Sequence, residues 1–78
     1  MPTHTFFLLG DFIALNDLLK AEGLCGSGGE AKQRIAEGLV QVDGQVELRK
    51  TCKIRAGQSV TFAGHTLMVQ AESVSNIL

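Results

Sequence analysis

The sequence predicts an α+β domain built from a short N-terminal strand, a helical hairpin and then two β-hairpins. Apolar residues in the first half recur at spacings of three and four, and both such stretches run into a glycine. After Gly38 the apolar residues alternate with a period of two instead. Asp43-Gly44, Ala56-Gly57 and Ala63-Gly64 punctuate that second half with pairs suited to tight turns.

Each element has its own signal. Thr5 to Leu9 is a β-branched and aromatic run that stops at Gly10 and Asp11, which predicts a short strand at a sheet edge. Leu15, Leu18 and Leu19, with Ala14 and Ala21 beside them, predict a helix over Ala14 to Glu22 that Gly23 terminates. Ser27 to Glu30 spells a capping box, in which the serine hydroxyl accepts from a first-turn amide and the glutamate returns to the serine amide. The second helix therefore starts there, with Ala31, Ile35 and Leu39 as its buried stripe and Gly38 as its left-handed stop.

Val40 and Val42, then Asp43-Gly44, then Val46 and Leu48 predict the first β-hairpin. A two-residue loop would place the two apolar sets on different faces, so a three-residue loop pairing Val42 with Val46 and Val40 with Leu48 is the expected register. Val60 and Phe62, the turn at Ala63-Gly64 and the run His65 to Val69 make the second hairpin. The core spans residues 5–70 of a single domain, and 71–78 is expected to be a tail whose Val74, Ile77 and Leu78 could dock on the domain or a partner.

Composition narrows the class of function. At 78 residues there is no room for a second domain, and the longest apolar stretch is broken by Gly10 and Asp11, far short of the ~20 residues of a membrane span. No basic leader precedes an apolar run with a small-residue cleavage site, so the expected location is the cytoplasm. Cys25 and Cys52 could form a single bridge, but free thiols fit a cytoplasmic chain better. Cations around Cys52 could lower its thiol pKa. His4 and His65 share no metal-ligand spacing with the cysteines, so neither metal nor cofactor is expected. No nucleophile elbow or phosphate-binding lysine loop is present, which points away from an enzyme.

Charge is distributed unevenly although the net is −1. Residues 1–31 carry Asp11, Asp17, Glu22 and Glu30 against Lys20. Residues 32–55 carry six cations, Lys32, Arg34, Arg49, Lys50, Lys53 and Arg55, against three carboxylates. A nearly neutral chain with a cationic middle segment can present a local basic patch to a polyanion.

The segment from Ile13 to Val60 resembles the ribosomal protein S4 type RNA-binding domain, the αL motif, particularly its small stand-alone bacterial versions. The resemblance rests on Leu15, Leu18 and Leu19 before Gly23, and on Ser27, Gly29, Glu30, Ala31, Lys32 and Ile35 before Gly38. The hairpin Val40, Val42, Asp43, Gly44 and Val46 follows, then Arg49, Lys50, Lys53 and Ile54, then Gly57 and Val60. It implies two short helices packed on a small, mostly antiparallel curved sheet of about four or five strands, with structured RNA along a helix and the adjoining loop. It also implies a monomeric, non-catalytic binder of ribosomal or tRNA-like RNA whose partners include the ribosome or RNA-processing proteins.

Phosphate recognition requires several cations on one surface, and these six are the candidate RNA contacts: Lys32 and Arg34 on the second helix, Arg49, Lys50, Lys53 and Arg55 after the first hairpin. Ser27, Gly28 and Gly29 open the second helix with accessible amides and form a candidate phosphate site, although capping alone accounts for them. Many family members have arginine where this chain has Gly28. That departure, with the −1 net charge, leaves a protein-interaction adaptor on the same fold as the alternative reading.

Overall fold

A computed structural model describes residues 3–72. In chain order the elements are β1 (Thr3–Leu8), β2 (Ile13–Ala14), α1 (Leu15–Ala21), α2 (Gly28–Ala36), β3 (Gln41–Val42), β4 (Gln45–Val46), β5 (Lys53–Ile54), β6 (Ser59–Phe62) and β7 (His65–Ala71). Five strands form one sheet in the order β1-β7-β6-β3-β4, and β2 pairs with β5 in a separate antiparallel ribbon. Every pairing in the larger sheet is antiparallel except β1 with β7, which run parallel from Thr3 opposite Thr66 to Leu8 opposite Ala71. The α+β architecture follows the sequence reading; the β2–β5 ribbon is an addition to it.

The apolar periodicities become one core. Leu15, Leu18 and Leu19 of α1 and Ala31 and Ile35 of α2 meet Leu8, Val40, Val42, Ile54, Val60, Phe62, Leu67 and Val69 from the strands. In β6, buried Val60 and Phe62 alternate with half-buried Ser59 and Thr61, as a strand with one covered face must. Among the described residues no helix is long and apolar enough to cross a membrane.

The first hairpin departs from the expected register. Val42 pairs with Gln45 and Gln41 with Val46, so the loop has two residues, not three. Asp43 and Gly44 both adopt positive φ, at 53° and 84°, which is the two-residue turn whose twist matches the flanking strands. Asp43 is also pinned from β6: its amide donates to the Ser59 carbonyl at 2.8 Å and its carboxylate accepts from the Ser59 amide at 2.9 Å. These polar ties set the turn, and the cost is that Val46 and Leu48 face solvent at 55% and 59% exposure.

Other boundaries shift for local reasons. Leu39 is exposed instead of closing the α2 stripe, because Gly38 at φ 80° turns the chain and delivers Val40 to the core. In the capping box Ser27 Oγ accepts from the Glu30 amide at 3.1 Å as expected, but Glu30 Oε1 accepts from the amide of Gly26, not of Ser27. α1 covers Leu15–Ala21, since Ala14 is still extended and paired in β2. The first strand starts at Thr3 and ends at Leu8, leaving Leu9 exposed. Val74, Ile77 and Leu78, the expected docking residues of the tail, lie outside the described residues.

The β6–β7 turn repeats the two-residue geometry with Ala63 at φ 54° and Gly64 at φ 82°. An alanine Cβ is strained in that region, whereas asparagine adopts it readily. Ala63→Asn is expected to raise the stability by about 0.5–1 kcal/mol, measured by urea unfolding with an unchanged m value.

Candidate functional site

The N-terminus of α1 organises the cationic segment. Ala14, the residue before the helix, has no side chain able to cap it. The first helical amides are answered by the downstream loop instead: Leu15 donates to the Cys52 carbonyl at 2.9 Å and Asn16 to the Lys50 carbonyl at 3.2 Å. The β2–β5 ribbon continues this attachment, with Ile13 opposite Ile54 and Ala14 opposite Lys53. Ile54 is fully buried, which anchors the segment in the core and leaves Lys53 and Arg55, its neighbours, on the outer side.

The six candidate cations fall into different settings. Arg49 is held by Glu47 through two contacts, Nε to Oε2 at 3.0 Å and Nη2 to Oε1 at 3.1 Å, and its own amide donates to the same carboxylate at 2.9 Å. Arg34 pairs with Glu37 one helical turn later at 3.1 Å. Lys32, Lys50, Lys53 and Arg55 form no ion pair among the described residues. Lys50, Lys53 and Arg55 are gathered on the segment latched to α1, whereas neither Lys32 nor Arg34 makes a hydrogen bond or ion pair to it among the described residues.

Phe12 was not singled out by the sequence reading and is central to this surface. Its ring is 43% exposed, with Lys53 Nζ 4.9 Å and the Arg55 guanidinium carbon 5.7 Å from its centroid. Such contacts contribute only about 0.5–1 kcal/mol each at an exposed site. No local pattern marked it: Phe12 lies just before β2 and Arg55 just after β5, and the pairing of Ile13 with Ile54 is what brings them together.

Glu47 was likewise missed, and it governs the electrostatics beside Cys52. Hydrogen bonds from the Arg49 side chain and then its amide hold the Glu47 carboxyl down at about 2. Cys52 Sγ lies 3.6 Å from both Glu47 Oε1 and Arg49 Nη2. Burial pushes its thiol up and Glu47 adds to that, outweighing Arg49, so the expected lowering of the Cys52 pKa is reversed. Burial also raises the Cys25 thiol, with Glu30 reinforcing it. Both thiols are free. Arg49, Thr51, Cys52 and Lys53 line a shallow open depression on this face.

At the start of α2, Ser27, Gly28 and Gly29 serve the cap described above. A Cβ on Gly28 would meet Asn16 Nδ2 at 3.8 Å, an ordinary contact, so crowding does not explain why a basic side chain is missing there.

Comparisons with known proteins converge on one family. The S4 domain model matches residues 6–70. Over 59 residues the chain is 61% identical to the YbcJ protein of Escherichia coli K12, covering 76% of this chain and 84% of that protein. The solution structure of E. coli YbcJ, described as revealing an αL motif involved in RNA binding, aligns with a TM-score of 0.62 at 54% identity over 91% of this chain and 89% of that one. A tyrosine–tRNA ligase of Ralstonia nicotianae is 42% identical over 57 residues, 73% of this chain but 14% of the ligase.

The Glu47 carboxyl makes a prediction about pH. Its folded pKa of about 2 lies below the ordinary 4.5, so its stabilising contribution is complete above 4.5 and fades as pH falls toward 2. The difference in Tm between the native chain and Glu47→Gln is expected to be constant above roughly pH 5.5 and to shrink steadily below it. Thermal melts across that range check this; a difference independent of pH would show that the pair contributes nothing.

Proposed function

Because this chain belongs to the S4 domain family, we propose that it binds structured RNA, ribosomal or tRNA-like, without catalysing a reaction, through the face carrying Lys50, Lys53 and Arg55. One observation carries the reading: three cations that have no carboxylate partner among the described residues stand on a segment fastened to the start of α1 by backbone hydrogen bonds and a buried isoleucine. Lys32 is a further contact from α2. Arg34 and Arg49 contribute less, because a phosphate must compete with Glu37 and Glu47 for them. The candidate phosphate site at Ser27, Gly28 and Gly29 is secondary to its capping role.

Electrostatics make the location of charge decisive. Each cation that neutralises a phosphate releases condensed counterions, so affinity comes from the local patch and not from a net charge of −1. The fixed backbone of residues 50–54 holds the patch in place before RNA arrives, which spares part of the ordering cost that a floppy basic loop would incur. Such a domain would act in the cytoplasm as a monomer, the location and state that best suit a small RNA-docking unit with free thiols.

Replacing Lys50, Lys53 and Arg55 together by glutamine is expected to weaken binding to a structured ribosomal RNA fragment across sequences. It should reduce the slope of log affinity against log salt by about 2–3 between roughly 50 and 200 mM. Arg49→Gln should have a much smaller effect. Fluorescence anisotropy titrations, with circular dichroism to verify the fold, make the measurement. Unchanged affinity in the triple variant would relocate the site, and cellular partners that survive nuclease treatment would favour the adaptor instead.

A further inference from the structure

Phe12 spends its apolar surface in an unusual place. It is absent from the residues packed against the core, and the Lys53 ammonium and Arg55 guanidinium stand against its ring on the outer side of the β2–β5 ribbon. Ile13 and Ile54 face each other across that ribbon, so one step along the antiparallel ladder Phe12 comes opposite Arg55, on the side shared by Ala14 and Lys53. Ala14 is small and builds no wall beside the ring.

A half-exposed ring with two cations against it, neither ion-paired among the described residues, adds little to folding, but it has the two parts that single-stranded nucleic acid recognition combines: a flat apolar face for a base and positive groups for the phosphates. Resting on the RNA-binding reading above, we propose that Phe12 is a base-stacking platform, and that the preferred ligand is therefore RNA presenting an unpaired nucleotide, in a loop or a bulge. The base displaces Lys53 and Arg55 from the ring face, and both cations move to the flanking phosphates. A fully paired helix keeps its base faces stacked on one another and offers Phe12 nothing to hold.

The proposal separates from general RNA binding by comparing two ligands of equal length and charge, a hairpin with an unpaired loop and a perfect duplex, on the full chain. Phe12→Leu is expected to weaken hairpin binding about tenfold, leave duplex binding unchanged and keep the salt slope, because stacking carries no counterions. Since the chain contains neither Trp nor Tyr, Phe12→Trp supplies a single emitting ring. Its fluorescence is expected to be quenched by the hairpin and not by the duplex, with affinity for the hairpin retained. Equal binding of the hairpin by the native chain and Phe12→Leu, or equal losses on both ligands, would overturn the stacking role while leaving the basic face standing. An unquenched tryptophan in the bound state would do the same should the leucine variant fail to fold. Binding of neither ligand by the native chain at low salt would remove the RNA reading itself.

Discussion

Helix α1 begins without a side chain that can cap it, and the molecule resolves this by bringing in a distant loop. The amides of Leu15 and Asn16 take the carbonyls of Cys52 and Lys50 as acceptors, across more than thirty residues of chain. Leaving a buried amide unanswered costs about 1–3 kcal/mol, a large part of what a domain this size has to spend. Asn16 is itself buried. The loop is therefore held at the helix start by the same accounting that requires any buried helix end to be satisfied. Its cations are positioned as a consequence.

Ion pairing makes the cationic face smaller than a count of charges suggests. Two carboxylates, Glu37 and Glu47, stand close enough to Arg34 and Arg49 to occupy them. The two pairs differ in character. Arg34–Glu37 is a partly exposed helix pair of the kind that contributes little to stability. Glu47, by contrast, is mostly covered, with 18% of its side chain exposed, and accepts three hydrogen bonds from Arg49. It acts as a brace that shapes the turn leading into Lys50. One arginine thus organises the loop, while Lys50, Lys53 and Arg55 form no ion pair among the described residues.

The outer side of the β2–β5 ribbon collects features that make little sense for folding alone. Phe12 lies outside the core, Lys53 and Arg55 have no carboxylate partner among the described residues, and a depression lined by Arg49, Thr51, Cys52 and Lys53 lies along the same segment. The inner side of the same ribbon carries Ile54, fully buried, with Ile13 packed against the core. Alternation across a two-residue ladder is enough to give one face to the core and to leave the other to the ring and its cations.

Periodicity made the two helices, the Ser27 cap, the Gly38 stop and the β6–β7 hairpin legible, because each depends on residues near one another in the chain. Motif order extended this to the family. Where the register of the first hairpin depended on Asp43 reaching Ser59 of β6, apolar pairing gave the wrong answer, since a tie to a third strand is invisible in a local pattern. Composition and order name the cations that could meet a phosphate; folding settles which of them already hold a carboxylate among the described residues. Charge type is a property of a residue, but whether Glu47 neutralises Arg49, and whether Lys53 and Arg55 stand over Phe12, depends on distances that appear only once residues 50–54 are fastened to the start of α1.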